Sequence, residues 1–121
     1  MGRSHYHTNE DERNIVRSMI RLDDKRRRGK LKRSVTAFDR RIQTAIERAE
    51  TEIDLGGAQG EVREVILSAI RENIISGTTW EKSGETYCGR DTFYRYSRRF
   101  QFLIARNIGL IVDNSGKQGR L

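Results

Sequence analysis

Proline is absent from this chain of 121 residues, and cysteine occurs once, at Cys88. A single thiol excludes an intrachain disulfide and a cysteine-built zinc cluster. His5 and His7 are the only histidines and lie near the start, so no metal site or cofactor is expected. No stretch approaches the roughly 20 apolar residues that a membrane span requires. The first 14 residues are polar, so a cleavable leader is not expected either, and a cytoplasmic location is. With no proline, nothing interrupts long helices. What the chain has instead is charge: 34% of residues are charged against 35% hydrophobic, and the formal net charge is +7.

That charge is unevenly placed. Between Arg17 and Arg33 nine basic residues face only Asp23 and Asp24. Between Glu47 and Glu64 six acids face Arg48 and Arg63. From Glu85 onward seven basic residues face three acids. Two basic blocks around an acidic one suit surfaces that meet a polyanion, double-stranded DNA first. A solvated charged surface is the plainer reading of the same blocks.

Apolar spacing predicts an all-α fold. Asn9 or Thr8 caps a first helix whose first turn holds Glu10, Asp11 and Glu12, favourable at the positive end of the helix dipole. Ile15, Val16, Met19 and Ile20 recur at helical spacing. The pattern ends in Lys25-Arg26-Arg27-Arg28-Gly29-Lys30, read as a basic hinge closing an N-terminal arm over 1–33. Ser34 is expected to cap a second helix, over 34–55, with Val35, Phe38, Ile42, Ala45, Ile46, Ala49 and Ile53 as a narrow seam. Such a seam packs either inside the monomer or against a second copy. Three glycines within Gly56–Gly60 then mark a linker. A third helix from about Glu61 to Ser76 buries Val62, Val65, Ile66, Ala69, Ile70 and Ile74 and stops at Gly77. Residues 112–121 read as a flexible tail, and the first eight as a disordered lead.

The informative segment is 61–111. Thr78-Thr79-Trp80-Glu81 has the Thr-x-x-Glu form of a capping box and predicts a short helix with Trp80 turned inward. A turn over Gly84–Gly89 comes next, then a long helix to about Ile108. This is the order of a helix-turn-helix with its supporting helix. On a helical wheel Phe93, Tyr96, Phe100, Leu103 and Ile104 share one face, while Asp91, Arg95 and Arg98 lie opposite. A recognition helix reads bases through its N-terminal turns. Arg90, Asp91, Thr92, Tyr94 and Arg95 are therefore the candidates for base contact. Arg98, Arg99, Lys82, Arg26, Arg27, Arg28 and Lys30 are the candidates for phosphate. The arginine fork suits both guanine edges and phosphate oxygens. Asp91 also fits as the N-cap of the last helix. Phe102 falls on the polar side of the wheel, where the N-terminal helices or a second subunit could cover it.

Ile75-Ser76-Gly77, Trp80-Glu81, Thr92-Phe93-Tyr94-Arg95 and Ala105-Arg106-Asn107-Ile108-Gly109 carry a resemblance. In their order and spacing, residues 66–111 resemble phage late-gene transcriptional activators of the ArpU/RinA type and, more distantly, the promoter-reading C-terminal domain of sigma factors. The chain departs from that pattern at Gly89, where the family has serine. It departs again at Lys82-Ser83-Gly84-Glu85, which replaces an apolar pair. The resemblance implies a sequence-specific regulator of phage or prophage late genes in a bacterial host, an activator that binds a promoter and aids RNA polymerase.

Enzymatic readings find little support. The glycine cluster lacks the Lys-Ser/Thr of a phosphate-cradling loop. Cys88 has no histidine nearby in sequence. Tyr94 and Tyr96 beside arginines lack the histidines and the chain length of a tyrosine recombinase. Glu47, Glu50 and Glu52 read as solvated rather than as paired catalytic carboxylates. No enzyme and no small-molecule substrate is expected. Besides a DNA-binding regulator, two alternatives are a small terminase subunit for DNA packaging and a module that binds polymerase or a repressor. A homodimer through Val35–Ile53 fits the first of these readings.

Overall fold

The computed structural model describes residues 6–112. Those residues are all-helical, with α1 at Glu10–Arg27, α2 at Ala37–Glu52, α3 at Gly60–Ser76 and α4 at Arg90–Asn107. A single 3-10 turn, Trp80–Lys82, stands between α3 and α4. The expected tail over 113–121 and the lead over 1–5 lie outside the described residues.

Local chemistry sets each boundary. The Asn9 side chain accepts from the Glu12 amide at 2.8 Å while Glu12 accepts from the Asn9 amide at 2.9 Å, a reciprocal cap for α1. Gly77 ends α3 in the left-handed conformation, φ 73°, where a Cβ would be strained. The cap of α2 is Thr36 and not Ser34: Thr36 and Asp39 form their own capping box. Arg33 then grips the same carboxylate with both guanidinium nitrogens, at 2.6 and 3.0 Å. That fork ties the connection after α1 onto the start of α2.

All four helices feed one core. Val16, Met19 and Ile20 of α1 are buried in the same cluster as Ile42 and Ile46 of α2, Ile66 and Ile70 of α3, and Phe93, Phe100 and Ile104 of α4. The segments expected as an arm and a linking helix are thus full members of the core. The α2 seam is spent inside the monomer: Ile42, Ala45, Ile46, Ala49 and Ile53 are at most 3% exposed. Only Val35 and Phe38, at its N-terminal end, face solvent. A dimer seam running from Val35 to Ile53 is therefore not on the surface.

α2 and α4 run antiparallel. The Asn107 amide at the end of α4 donates to the Ala45 carbonyl in mid-α2 at 3.1 Å. About two turns earlier, Arg99 donates to the Asp54 carbonyl just past α2. Gly56 is required where this loop meets α4: a Cβ there would sit 2.8 Å from the Tyr96 hydroxyl. Arg63 of α3 donates to the carbonyls of Glu50 and Ile53, so a cation closes the negative end of α2.

Phe102, out of place on the wheel, is 4% exposed. Tyr6 covers it edge-on, with ring centroids 5.3 Å apart. The stretch before α1 is thus packed from Tyr6 onward, and Thr8 is buried.

Candidate nucleic-acid interface

The short helix expected from Thr78 to Glu81 is instead the one 3-10 turn. The Thr-x-x-Glu box does not form: Thr79 precedes the turn and makes no side-chain cap. Two causes are local. Lys82 and Ser83 offer no apolar side chain to bury, and Gly84 turns the chain through a positive φ of 75°.

Trp80 organises the loop between this turn and α4. Its indole N–H donates to the Thr86 hydroxyl at 3.0 Å and to the Cys88 carbonyl at 3.1 Å. Its backbone N–H donates to the Tyr94 hydroxyl at 3.0 Å. The loop 83–89 therefore wraps around one indole and delivers the chain into α4 at a fixed angle. Asn73 adds a second brace, donating to the Thr78 carbonyl and accepting from the Ser97 hydroxyl at 3.0 Å. Polar groups with partners on both sides hold α4 against α3.

These contacts reassign several candidates. Tyr94 spends its hydroxyl on Trp80 and packs edge-on against Phe93, so it positions α4 instead of reading bases. Asp91 does not cap α4. The N-cap is Gly89, which has no side chain to offer, and Asp91 stands exposed in the first turn. Arg99 is not an open phosphate clamp. Its guanidinium lies 4.7 Å from the Tyr6 ring centroid, it bonds Asp54, and its Nε is buried with no hydrogen-bond partner.

The expected basic hinge begins as helix, and its arginines are paired with carboxylates. α1 continues through it to Arg27. Arg26 and Arg27 both bond the buried Asp23 at 2.9 Å, and Arg27 also reaches Glu50. Asp23 would be an uncompensated buried charge without them, which fixes both cations in place. Arg28 pairs with Asp24 at 3.0 Å and with Glu72 at 3.6 Å. Lys30, beyond the helix end, is exposed. Two of the three acids expected to be solvated are the other halves of such pairs: Glu50 also holds Arg71 at 2.8 Å, and Glu52 holds Arg106 at 2.6 Å, while Glu47 is exposed.

Among these candidates, one face of α4 stays open. Asp91, Arg95 and Arg98 recur four and three residues apart and are all exposed. The side chains of Arg95 and Arg98 have no ion pair or hydrogen bond among the described residues. Arg90 flanks them, 3.2 Å from Glu81 and 5.7 Å from the Tyr94 ring. Thr92 is half-buried on the other flank. Phe102, one turn beyond Arg98 on the same stripe, is covered by Tyr6, so the open basic face is confined to the first three turns. Lys82 is exposed on the 3-10 turn, next to the residue that reaches Arg90.

One neighbouring residue escaped sequence reasoning. Tyr87, two positions before the N-cap, has φ 57° and is 56% exposed. A bulky side chain in the left-handed region is strained. Its amide is held by the Glu85 carboxylate at 2.8 Å. Nothing in the residue type signals this conformation, which glycine or asparagine would adopt more readily.

Among the described residues no cluster of three potential metal ligands exists, and no helix is long and apolar enough to cross a membrane. No family pattern, curated protein or solved structure matches the chain.

Proposed function

We propose that the chain is a duplex-DNA-binding regulator of transcription in which α4 is the recognition helix. The observation that carries this reading is the pair of unpartnered arginines, Arg95 and Arg98, on the one open face of a helix whose opposite face is locked into the core. Arg26, Arg27, Arg63, Arg71 and Arg106, by contrast, are consumed by carboxylates and carbonyls. Leaving these two free, beside Arg90 and an α4 N-terminus with no side-chain cap, makes a positive ridge suited to a groove between phosphates.

Each part then has a role. α3 supports, and the Trp80-centred loop takes the place of the first helix of a helix-turn-helix. α4 enters the major groove with its first turns, where Arg90, Asp91, Thr92 and Arg95 meet base edges. Arg98 and Lys82 meet phosphate, and Tyr87 lies against the backbone at the entry to α4. The resemblance to phage late-gene activators of the ArpU/RinA type assigns the regulated genes, the host cytoplasm and RNA polymerase as the partner that benefits. Binding needs no bond made or broken, so no catalytic residue is invoked.

Fluorescence anisotropy of a labelled random-sequence duplex, titrated with the protein across a salt series, tests the reading. Affinity should fall steeply with salt, each neutralised phosphate contributing a slope of about −0.9 in log–log form. Absence of binding at low salt would refute it.

A further inference from the structure

A second basic surface lies on the flank of the bundle, away from the α4 ridge. Arg40, Arg41, Thr44 and Arg48 of α2 line an open groove of about 310 Å³ whose far wall is Asn107 and Ile108, at the end of α4. Residues 41, 44 and 48 are spaced three and four apart, so they share one side of α2. No carboxylate among the described residues lines the groove.

Two of the three cations are without a partner among the described residues, and the third shares one. The side chains of Arg40 and Arg41 have no ion pair or hydrogen bond among the described residues. Arg48 approaches Glu52 at 3.4 Å, but Arg106 already holds that carboxylate at 2.6 Å. Three like charges gathered around one concavity repel one another, and nothing in the fold requires them there. The core of α2 is made by Ile42, Ala45, Ile46 and Ala49. The groove also contains the Thr44 hydroxyl, and its only apolar lining residues are Ala45 and Ile108. It therefore fits the oxygens of a phosphate and offers no aromatic face on which a base could stack.

We propose that this groove is a phosphodiester-binding site, with Arg40, Arg41 and Arg48 as its donors, distinct from the α4 ridge. Arg41 and Arg48 are about 10 Å apart along α2, a length over which one strand of a duplex presents about three phosphates. Asn107 lies about 14 Å further along α4 than Arg98, and α2 covers the core side of α4 while Arg98 faces solvent. The two surfaces therefore hold different stretches of backbone. The inference shares with the function proposed above the premise that the chain meets nucleic acid, and not the assignment of α4.

The test compares the full-length protein with R41A/R48A, R41K/R48K and R95A/R98A, each binding a labelled random duplex across a salt series, with folding checked by circular dichroism. R41A/R48A should weaken binding at least tenfold at low salt and flatten the salt slope by about two. R41K/R48K should restore the slope, because charge and not the fork releases counterions. An unchanged slope in R41A/R48A, with the fold intact, would overturn the groove and leave the α4 ridge standing. Loss in R41A/R48A without loss in R95A/R98A would support the groove and overturn the α4 assignment. Inorganic phosphate is the second arm: if it binds the protein at a few millimolar and R41A/R48A abolishes that binding without weakening duplex binding, the groove takes a free anion and the phosphodiester assignment falls.

Discussion

Two arginines one turn apart on α4 are given different roles by the proposed function, Arg95 reading and Arg98 clamping. In the proposed DNA-binding role Arg95 meets the groove from the first turns, so Arg95→Ala should reduce the preference for a selected site over random duplex, by about 1–3 kcal/mol if its fork spans one base edge. Arg98→Ala should weaken both duplexes alike and flatten the salt slope by about one. Competition binding against specific and random duplex distinguishes them, and equal losses in both variants would remove Arg95 from the base-reading set. Tyr87 gives a sharper test, because strain and binding pull in opposite directions. Its left-handed backbone costs about 1–2 kcal/mol for a non-glycine residue. Tyr87→Gly removes that cost and should raise Tm by a few degrees while lowering affinity for duplex several-fold. A fall in Tm would mean that the ring packs for stability and is not there for a ligand. Candidates of this kind differ in how far the sequence reveals them. Arg95 and Arg98 are legible because the wheel fixes which side of an amphipathic helix is wet. Tyr94 and Arg99 sit on the borders of that face, where a loop and the segment before α1 decide the partner, and no periodicity encodes either.

Element ends carry the next set of consequences. The Arg33 fork, together with the Thr36 amide, holds the Asp39 carboxyl well below the usual carboxylate range. A carboxyl with a depressed folded value binds fewer protons in the native state than in the unfolded chain over the interval between the two values. Stability from this group is therefore complete above its ordinary value, near 3.8, and is lost as pH falls below that toward the folded value. Thermal melts from pH 2 to pH 7 should show that Asp39→Asn lowers Tm at neutral pH and shallows the decline below pH 4. A parallel acid limb in the variant would place the acid sensitivity on other carboxylates. Caps and stops were the readable part of the elements. Asn9 and Gly77 lie where helices begin and end because a short acceptor or a left-handed backbone decides each boundary by itself. Thr36 displaces Ser34 because only Thr36 has an acid three residues on. The short helix after α3 failed for the converse reason. Thr78 and Glu81 have the right spacing, but a capping box needs a helix with something to bury, and Lys82-Ser83-Gly84 has nothing.

At the scale of the molecule, acids of the middle of the chain pair with arginines on either side of them. Asp23, Glu50, Glu52 and Glu72 hold Arg26, Arg27, Arg28, Arg71 and Arg106, so the N-terminal half is sewn to the C-terminal half. Composition showed the blocks, but not which of their members would pair, because pairing between residues far apart in the chain depends on how helices cross. The same crossing turns an expected arm into core. Val16 and Ile20 are at most 1% exposed, and so are Phe100 and Ile104. A fragment over 57–121, which keeps α3, the 3-10 turn and α4, would expose the apolar sides that α1 and α2 now cover. Truncating a single buried aliphatic side chain costs about 2–5 kcal/mol, against a typical domain stability of about 5–15 kcal/mol. Removing two helices should therefore leave the fragment unfolded. Far-ultraviolet circular dichroism and amide dispersion in a nitrogen–proton correlation spectrum would report this directly. A cooperative melt from the fragment would show that α3 and α4 form an autonomous unit. The N-terminal helices would then be an accessory to the proposed DNA binding, and not the clamp that holds α4 in place.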